Sequence, residues 1–319
     1  MTNSKLEQGF CSPARALVLA ICAFLLPQVS VAQKSAAPAS SDKDTRPYDK
    51  HDFTGIWARN PAAQFGQPPC PECRNVGPVP GYPVTYGYFG DVPPRTPEGE
   101  KKFRMNRPTK GYVIGSKEAL AHMDIEEGFR RAVESKMSND PEERCEPLGL
   151  IRLVTFSGGN APMQIIQTNE ILVQKFEWFW ENREIWLDGR ALPKKDDYLP
   201  RFNGYSVGKW EGDTLVVSTV GFDDRQWIDG FGYPISGKAV LEERYSRPSR
   251  NRLRLDMTLT DPTYYTRPWH SSTKIWALIP KKAAEISGWS GLGEDHCVPS
   301  DNDYFRTFEP DVPGAKNHK

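Results

Sequence analysis

From residue 151 to residue 280 apolar and polar positions alternate repeatedly with a period of two. That is the pattern of strands with one buried and one wet face. The clearest stretch is 203–222, where Leu215 and Val217 alternate with Thr214, Val216 and Ser218. Glu211-Gly212-Asp213 forms its turn, and Gly212 supplies the positive φ that a tight hairpin needs. In 253–260, Leu253, Leu255, Met257 and Leu259 face one way and Arg254, Asp256, Thr258 and Thr260 the other. Further strands read at 52–57, 151–156, 163–168, 171–180, 183–187, 237–246 and 274–279. Sequential strands with short connections predict an all-β fold, an antiparallel up-and-down barrel that leaves no open edge. A two-sheet sandwich is the alternative.

The remaining segments carry other signals. Residues 58–116 are rich in Pro, Gly and Tyr without periodicity, which predicts an irregular wrap or lid. One helix is expected over 117–138, capped by Ser116, with Leu120, Met123, Phe129, Val133 and Met137 on one face. Residues 1–32 have the form of a signal peptide: Lys5 and Arg15 precede an apolar run from Ala16 to Leu26, and Ser30-Val31-Ala32 offers small residues for cleavage. That run has 11 residues, too few to span ~30 Å of hydrocarbon, and no second run approaches the ~20 residues needed. The expectation is therefore an exported, periplasmic or extracellular protein that does not span the membrane. Residues 33–50 read as a flexible linker, 51–308 as a single domain and 309–319 as a frayed tail.

Lys plus Arg and Asp plus Glu balance at 41 each, with no basic stripe, so no nucleic-acid partner is expected. Beyond the signal segment four cysteines remain, and an oxidising compartment makes two disulfides the expectation, with three possible connectivities. Cys70-Pro-Glu-Cys73 sits among prolines, away from any helix start that would lower a thiol pKa, and reads as a loop staple. Cys145 and Cys297 then remain for each other, one on either side of the strand block.

Several segments, taken in order, resemble a family of exported, mostly uncharacterised bacterial lipocalin-like proteins. They are the opening Asp52-Phe-Thr-Gly-Ile-Trp57, with its Gly-x-Trp, and Arg144-Cys-Glu-Pro-Leu-Gly149. Met163-Gln-Ile-Ile-Gln167, Arg183-Glu-Ile-Trp-Leu-Asp-Gly189 and Gly208-Lys-Trp-Glu-Gly-Asp-Thr-Leu-Val-Val217 follow, then Asp261-Pro262 through Pro268-Trp269 and the late Cys297. The resemblance covers about residues 52–305 and implies a lipocalin-like barrel. The family pattern has histidines near Trp180, Tyr205 and Val240 and a His-Glu pair after the late cysteine. This chain has none of them, and Val298-Pro299-Ser300 follow Cys297.

Two functions fit. The first is binding of a hydrophobic or aromatic small molecule inside the barrel. Phe176, Trp178 and Trp180 would share one strand face, with Arg183, Tyr205, Tyr264 and Trp269 completing the ligand site. The second is a cofactor-independent isomerase, lyase or cyclase acting on an aromatic or polycyclic substrate, with Glu177, Tyr265 and His270 as acid–base candidates. No cofactor or metal is expected. The loop with Asp223, Asp224 and Asp229 holds three carboxylates but lacks EF-hand spacing and reads as a solvated loop.

Overall fold

The computed structural model describes residues 44–59, 67, 70–73, 89–91, 93–108, 137–155, 162–230, 232–271, 273–283, 292–293 and 296–298. The signal segment, the linker up to residue 43, nearly all of the helix expected over 117–138 and the tail from 309 lie outside them. Among the described residues the strands are β1 (Gly55–Ala58), β2 (Phe89–Asp91), β3 (Met163–Gln167), β4 (Ile171–Phe176), β5 (Asn182–Trp186) and β6 (Tyr205–Glu211). They continue with β7 (Thr214–Val220), β8 (Val240–Ser249), β9 (Arg252–Thr260), β10 (Trp269–Ser271) and β11 (Lys274–Ile279). The α-helices α1 (Pro97–Met105) and α2 (Leu150–Thr155) accompany them. Neither is long and apolar enough to cross a membrane.

The strands β1-β3-β4-β5-β6-β7-β8-β9-β11 close into a nine-stranded barrel, because β11 pairs with both β9 and β1. β10 and β2 continue the sheet beyond β9. All joins of the closed ring are antiparallel except one: β5 and β6 run parallel, joined by the crossover 187–204. The barrel is thus mixed, and the wholly up-and-down arrangement read from the sequence needs correction at this seam. A tight turn cannot link parallel neighbours, so the chain must travel back along the barrel before β6 begins. The seam is thin, with only Ile185↔Ser206 and Trp186↔Val207 in register. Gly208 keeps it closed, since a Cβ there would lie 2.7 Å from Leu187 Cδ2 and 3.1 Å from Ile185 Cγ2.

The period-2 strands behave as their pattern dictates. β6 and β7 form a hairpin with Glu211↔Thr214 as its last pair and Gly212 at φ 58°. Leu253, Leu255, Met257 and Leu259 of β9 are all buried, as are Leu215 and Val217 of β7. With Trp57, Met163, Ile165, Leu172, Phe176, Ile185, Leu241 and Trp276 they fill the barrel with one continuous apolar core.

Three segments depart from the alternation read along the chain. Residues 151–156 were expected as a strand, yet α2 forms instead. Leu150 to Val154 are all buried, and a short run buried on every side satisfies either period. The strand expected over 171–180 ends at Phe176. Phe179 and Trp180 both adopt φ 53°, so Phe176, Trp178 and Trp180 do not share one strand face. The wrap 58–116 contains the regular helix α1, started by Thr96, whose Oγ1 accepts from Gly99 N at 3.0 Å, and by Pro97 in the first turn.

A polar network lies inside the apolar core. Arg183 on β5 donates to the carboxylate of Glu243 on β8, to Gln174 Oε1 on β4 (3.0 Å), to Ser206 Oγ on β6 (3.0 Å) and to Thr219 Oγ1 on β7 (2.9 Å). Tyr245 donates to Glu243 Oε1 at 2.9 Å and accepts from Gln174 Nε2 at 3.1 Å. All six side chains are buried. Burial of both charges is costly and is offset only because each finds partners.

Two disulfides staple the molecule, Cys70–Cys73 and Cys145–Cys297, with Cα separations of 5.3 and 5.1 Å. The first packs against Ala277 of β11, and the second joins residues 152 apart. In the chain-entropy account a loop that long contributes about 4–5 kcal/mol.

Removing one half of the interior ion pair is expected to cost far more than removing both. Arg183→Ala, which strands the Glu243 carboxylate, is expected to lower stability by about 3–5 kcal/mol. The double variant Arg183→Met/Glu243→Leu is expected to recover part of that loss, since no charge is stranded, yet to stay below wild type because the ties from β5 to Ser206 and Thr219 are gone. Urea midpoints of the three proteins check this; equal losses in single and double variants would contradict it.

Candidate functional site

The thin seam opens into a cleft. β5 and β6 start at the same end of the barrel, and there the cleft, about 740 Å³ in volume, is walled by Glu181 to Glu184, Trp186, Arg190, the crossover residues Pro200 to Gly204, Tyr205 to Val207, Pro147, Asp223 and Arg225. Arg183 and Ser206 reach it too, so the interior network forms part of its wall. A parallel pair with so few ladder bonds leaves room that a full hairpin would fill.

Its cationic and aromatic groups are positioned by the crossover. Arg201 is clamped through its backbone: its N–H donates to Gly221 O (2.9 Å), and its carbonyl accepts from Asp223 N (2.9 Å) and Gly204 N (3.2 Å). Its guanidinium lies 4.5 Å from the ring centre of Tyr205. Among the described residues no carboxylate pairs with it. The other three arginines of the cleft are paired, Arg183 with Glu243, Arg190 with Asp188 (2.6 Å) and Arg225 with Asp223 (2.8 Å). Arg190 stacks 3.5 Å from the Trp186 ring centre, and Tyr205 donates to Leu199 O at 3.0 Å.

At the inner end stands Glu181. It leaves the turn that follows β4, directly after the two positive-φ residues Phe179 and Trp180. Bulky residues avoid that conformation, at a cost of about 1–3 kcal/mol each. Glu181 Oε1 accepts from Leu148 N at 2.6 Å and Oε2 from Asn203 Nδ2 at 3.0 Å, and the Gly149 amide also contributes. Burial pushes its carboxyl up to about 7, against those three donors and the positive charge of Arg152. Asn203 also donates to Asn182 O at 3.2 Å, while its Oδ1 is buried and meets no donor among the described residues.

Of the residues singled out in the sequence, Arg183 and Tyr205 line this cleft. Phe176 is part of the barrel core. Trp178 and Trp180 belong to the turn after β4, where Trp180 stacks on His296 with ring centres 5.8 Å apart. Tyr264, Tyr265 and Trp269 are buried. Tyr265 meets Trp269 edge-on at 5.1 Å and donates to Pro234 O at 2.8 Å, and Trp269 in turn meets Tyr233, which packs on Phe103 of α1. Glu177 accepts from Gly293 N at 3.1 Å. His270 is exposed on β10, its Nδ1 3.0 Å from Thr258 Oγ1. Glu177, Tyr265 and His270 therefore do not meet in the cleft. Among the described residues no three potential metal ligands gather. Asp223 is tied to Arg225, and Asp229 accepts from Tyr233 N at 3.2 Å.

A second groove of about 670 Å³ lies where β1, β3 and β11 meet, floored by Ile56, Ile166, Leu278 and Ile279. It is more apolar than the cleft and has no carboxyl with a raised pKa. No family model, curated protein or solved structure matches the chain.

Because the fold raises the Glu181 pKa from 4.5 to about 7, it favours the protonated carboxyl. This contribution is full below pH 4.5 and is lost as pH rises through 7. Wild type is expected to lose on the order of 2–3 kcal/mol between pH 4.5 and 8 relative to Glu181→Gln. Urea unfolding of both proteins across that range measures it, and parallel curves would remove Glu181 as the titrating group.

Proposed function

We propose that the protein is an exported, lipocalin-like binder of an aromatic small anion, held in the cleft at the β5–β6 seam. The lumen is an unsuitable place for a ligand, since Trp57, Trp276, Phe176 and the Arg183–Glu243 network occupy it. The observation that carries the reading is Arg201. Its backbone is fixed at three points, its guanidinium lies over Tyr205, and no carboxylate among the described residues neutralises it. A guanidinium beside aromatic walls suits a flat ring bearing a carboxylate, with charge–charge bonding at one end and stacking along the other. The cleft volume of about 740 Å³ is in the usual range for small-molecule sites. Two disulfides are compatible with an exported location.

Fluorescence titration provides the test, because Trp186 lines the cleft. Saturable quenching is expected with 2-naphthoate and much less with neutral naphthalene. Arg201→Ala is expected to weaken 2-naphthoate about tenfold, equivalent to ~1.4 kcal/mol. Trp186→Phe is expected to remove most of the quench. Equal affinity for both probes, or an unchanged constant in the arginine variant, would refute the site.

A further inference from the structure

We propose that Glu181 makes this cleft catalytic, transferring a proton that interconverts the keto and enol forms of an aromatic 2-oxo acid. The inference rests on the binding reading above and goes one step further, from ligand to substrate.

Three features of the cleft favour it. A carboxylate has about four lone-pair positions. Leu148 N occupies one on Oε1 and Asn203 Nδ2 one on Oε2 of Glu181, so the group is held at both oxygens and keeps acceptor capacity for a substrate proton. Glu181 forms part of the wall of the same cleft as Arg201. A substrate whose carboxylate pairs with Arg201 and whose ring lies on Tyr205 then shares the cleft with Glu181. Finally, the buried Asn203 Oδ1 has no donor among the described residues. An enol offers an O–H donor where the ketone offers only an acceptor, so this oxygen favours the finished enol over the ketone.

The step balances without any co-reactant. The Glu181 carboxylate takes a proton from the carbon next to the carbonyl. The C–H electron pair forms the new C=C bond, and the carbonyl π pair moves to oxygen. The proton then passes from Glu181 to that oxygen, and the carboxylate is regenerated. Nothing is oxidised or reduced. The base works in its ionised form, and its pKa near 7 gives a carboxylate more basic than an exposed one while still about half ionised at pH 7. The charged groups around it are Arg152 from α2, Arg183 tied to Glu243, Arg201 from the crossover, and Asp223 and Glu146, both paired with Arg225.

The test follows deuterium exchange at the benzylic carbon of phenylpyruvate in D2O by NMR, using the full disulfide-bonded chain. Saturable acceleration is expected, with a rate that rises as pH increases through about 7. Glu181→Gln is expected to lower kcat by about 100-fold or more while KM changes by less than about threefold. Arg201→Ala is expected to act mainly on KM. Exchange at the buffer rate by a protein that still binds 2-naphthoate saturably overturns the catalytic proposal and leaves the binding reading standing. Absence of both binding and exchange overturns both. Accelerated exchange that Glu181→Gln leaves intact removes Glu181 as the base. Should that variant fail to fold, the wild-type profile decides, and a rate with no inflection between pH 6 and 8 overturns the assignment.

Discussion

Arg183 holds together a barrel that its backbone alone closes poorly. The ring is continuous by main-chain pairing everywhere, but at the parallel join between β5 and β6 that pairing is two residues long. Arg183 projects from β5 and bonds to β4, β6, β7 and β8 at once. Its planar, multi-donor head is the one side chain that can serve so many strands from a single point. The charge requires Glu243, Glu243 requires Tyr245 to satisfy its remaining oxygen capacity, and Gln174 joins Tyr245 back to Arg183. An apolar residue at 183 would pack the lumen but would leave the seam to two backbone pairs. A wholly antiparallel ring would not need such a tie.

This arrangement explains which parts of the fold are legible in the sequence. β6 to β9 stand where alternation puts them, because period two can be read directly in them, while β11 shows itself only as a short apolar run. The parallel join cannot be read that way. Residues 183–187 and 205–211 have the same appearance whether they pair parallel or antiparallel, and only the length of the crossover between them hints at it. The run 151–156 was read as a strand, but all of Leu150 to Val154 are buried, and a short apolar run shows no period that tells strand from helix. The turn at 177–181 was masked by its own aromatics. Trp178 and Trp180 continue an apolar alternation in sequence, while the chain has already left the strand. In α1, Thr96-Pro97 was a start signal set in a segment whose proline content suggested irregularity.

The candidate site was less legible than the fold, for a related reason. Arg183 and Tyr205 were identifiable because they lie on strands with a defined face. Glu181 and Asn203 were not, since each is a polar residue in a turn, and polar turn residues are ordinarily solvated. What distinguishes Glu181 is tertiary: Leu148 and Gly149, more than thirty positions away, bring their amides onto its carboxylate and exclude water. Arg201 in turn owes its position to backbone bonds with Gly221 and Asp223, just after β7.

The supports of Glu181 form a chain that reaches the disulfide. Leu148 and Gly149 lead directly into α2, and Arg152 of that helix binds Asp140 (2.5 Å) and Glu142 (2.5 Å) with a fully buried side chain. Asp140 precedes and Glu142 begins the short 3₁₀ turn Glu142–Arg144, which ends at Cys145 in the left-handed conformation, and Cys145 is bridged to Cys297. On the other side, Gly293 of the same late segment donates to Glu177, at the start of the strained turn that ends in Glu181. The late segment is therefore fastened to both sides of the carboxylate, to the loop that supplies its donors and to the turn that supplies the residue itself. A turn with two bulky residues at positive φ persists only when its surroundings over-determine it. The disulfide, the Arg152 cluster and the Gly293 bond supply that determination, so the long staple acts on the geometry of the cleft as well as on the stability of the barrel.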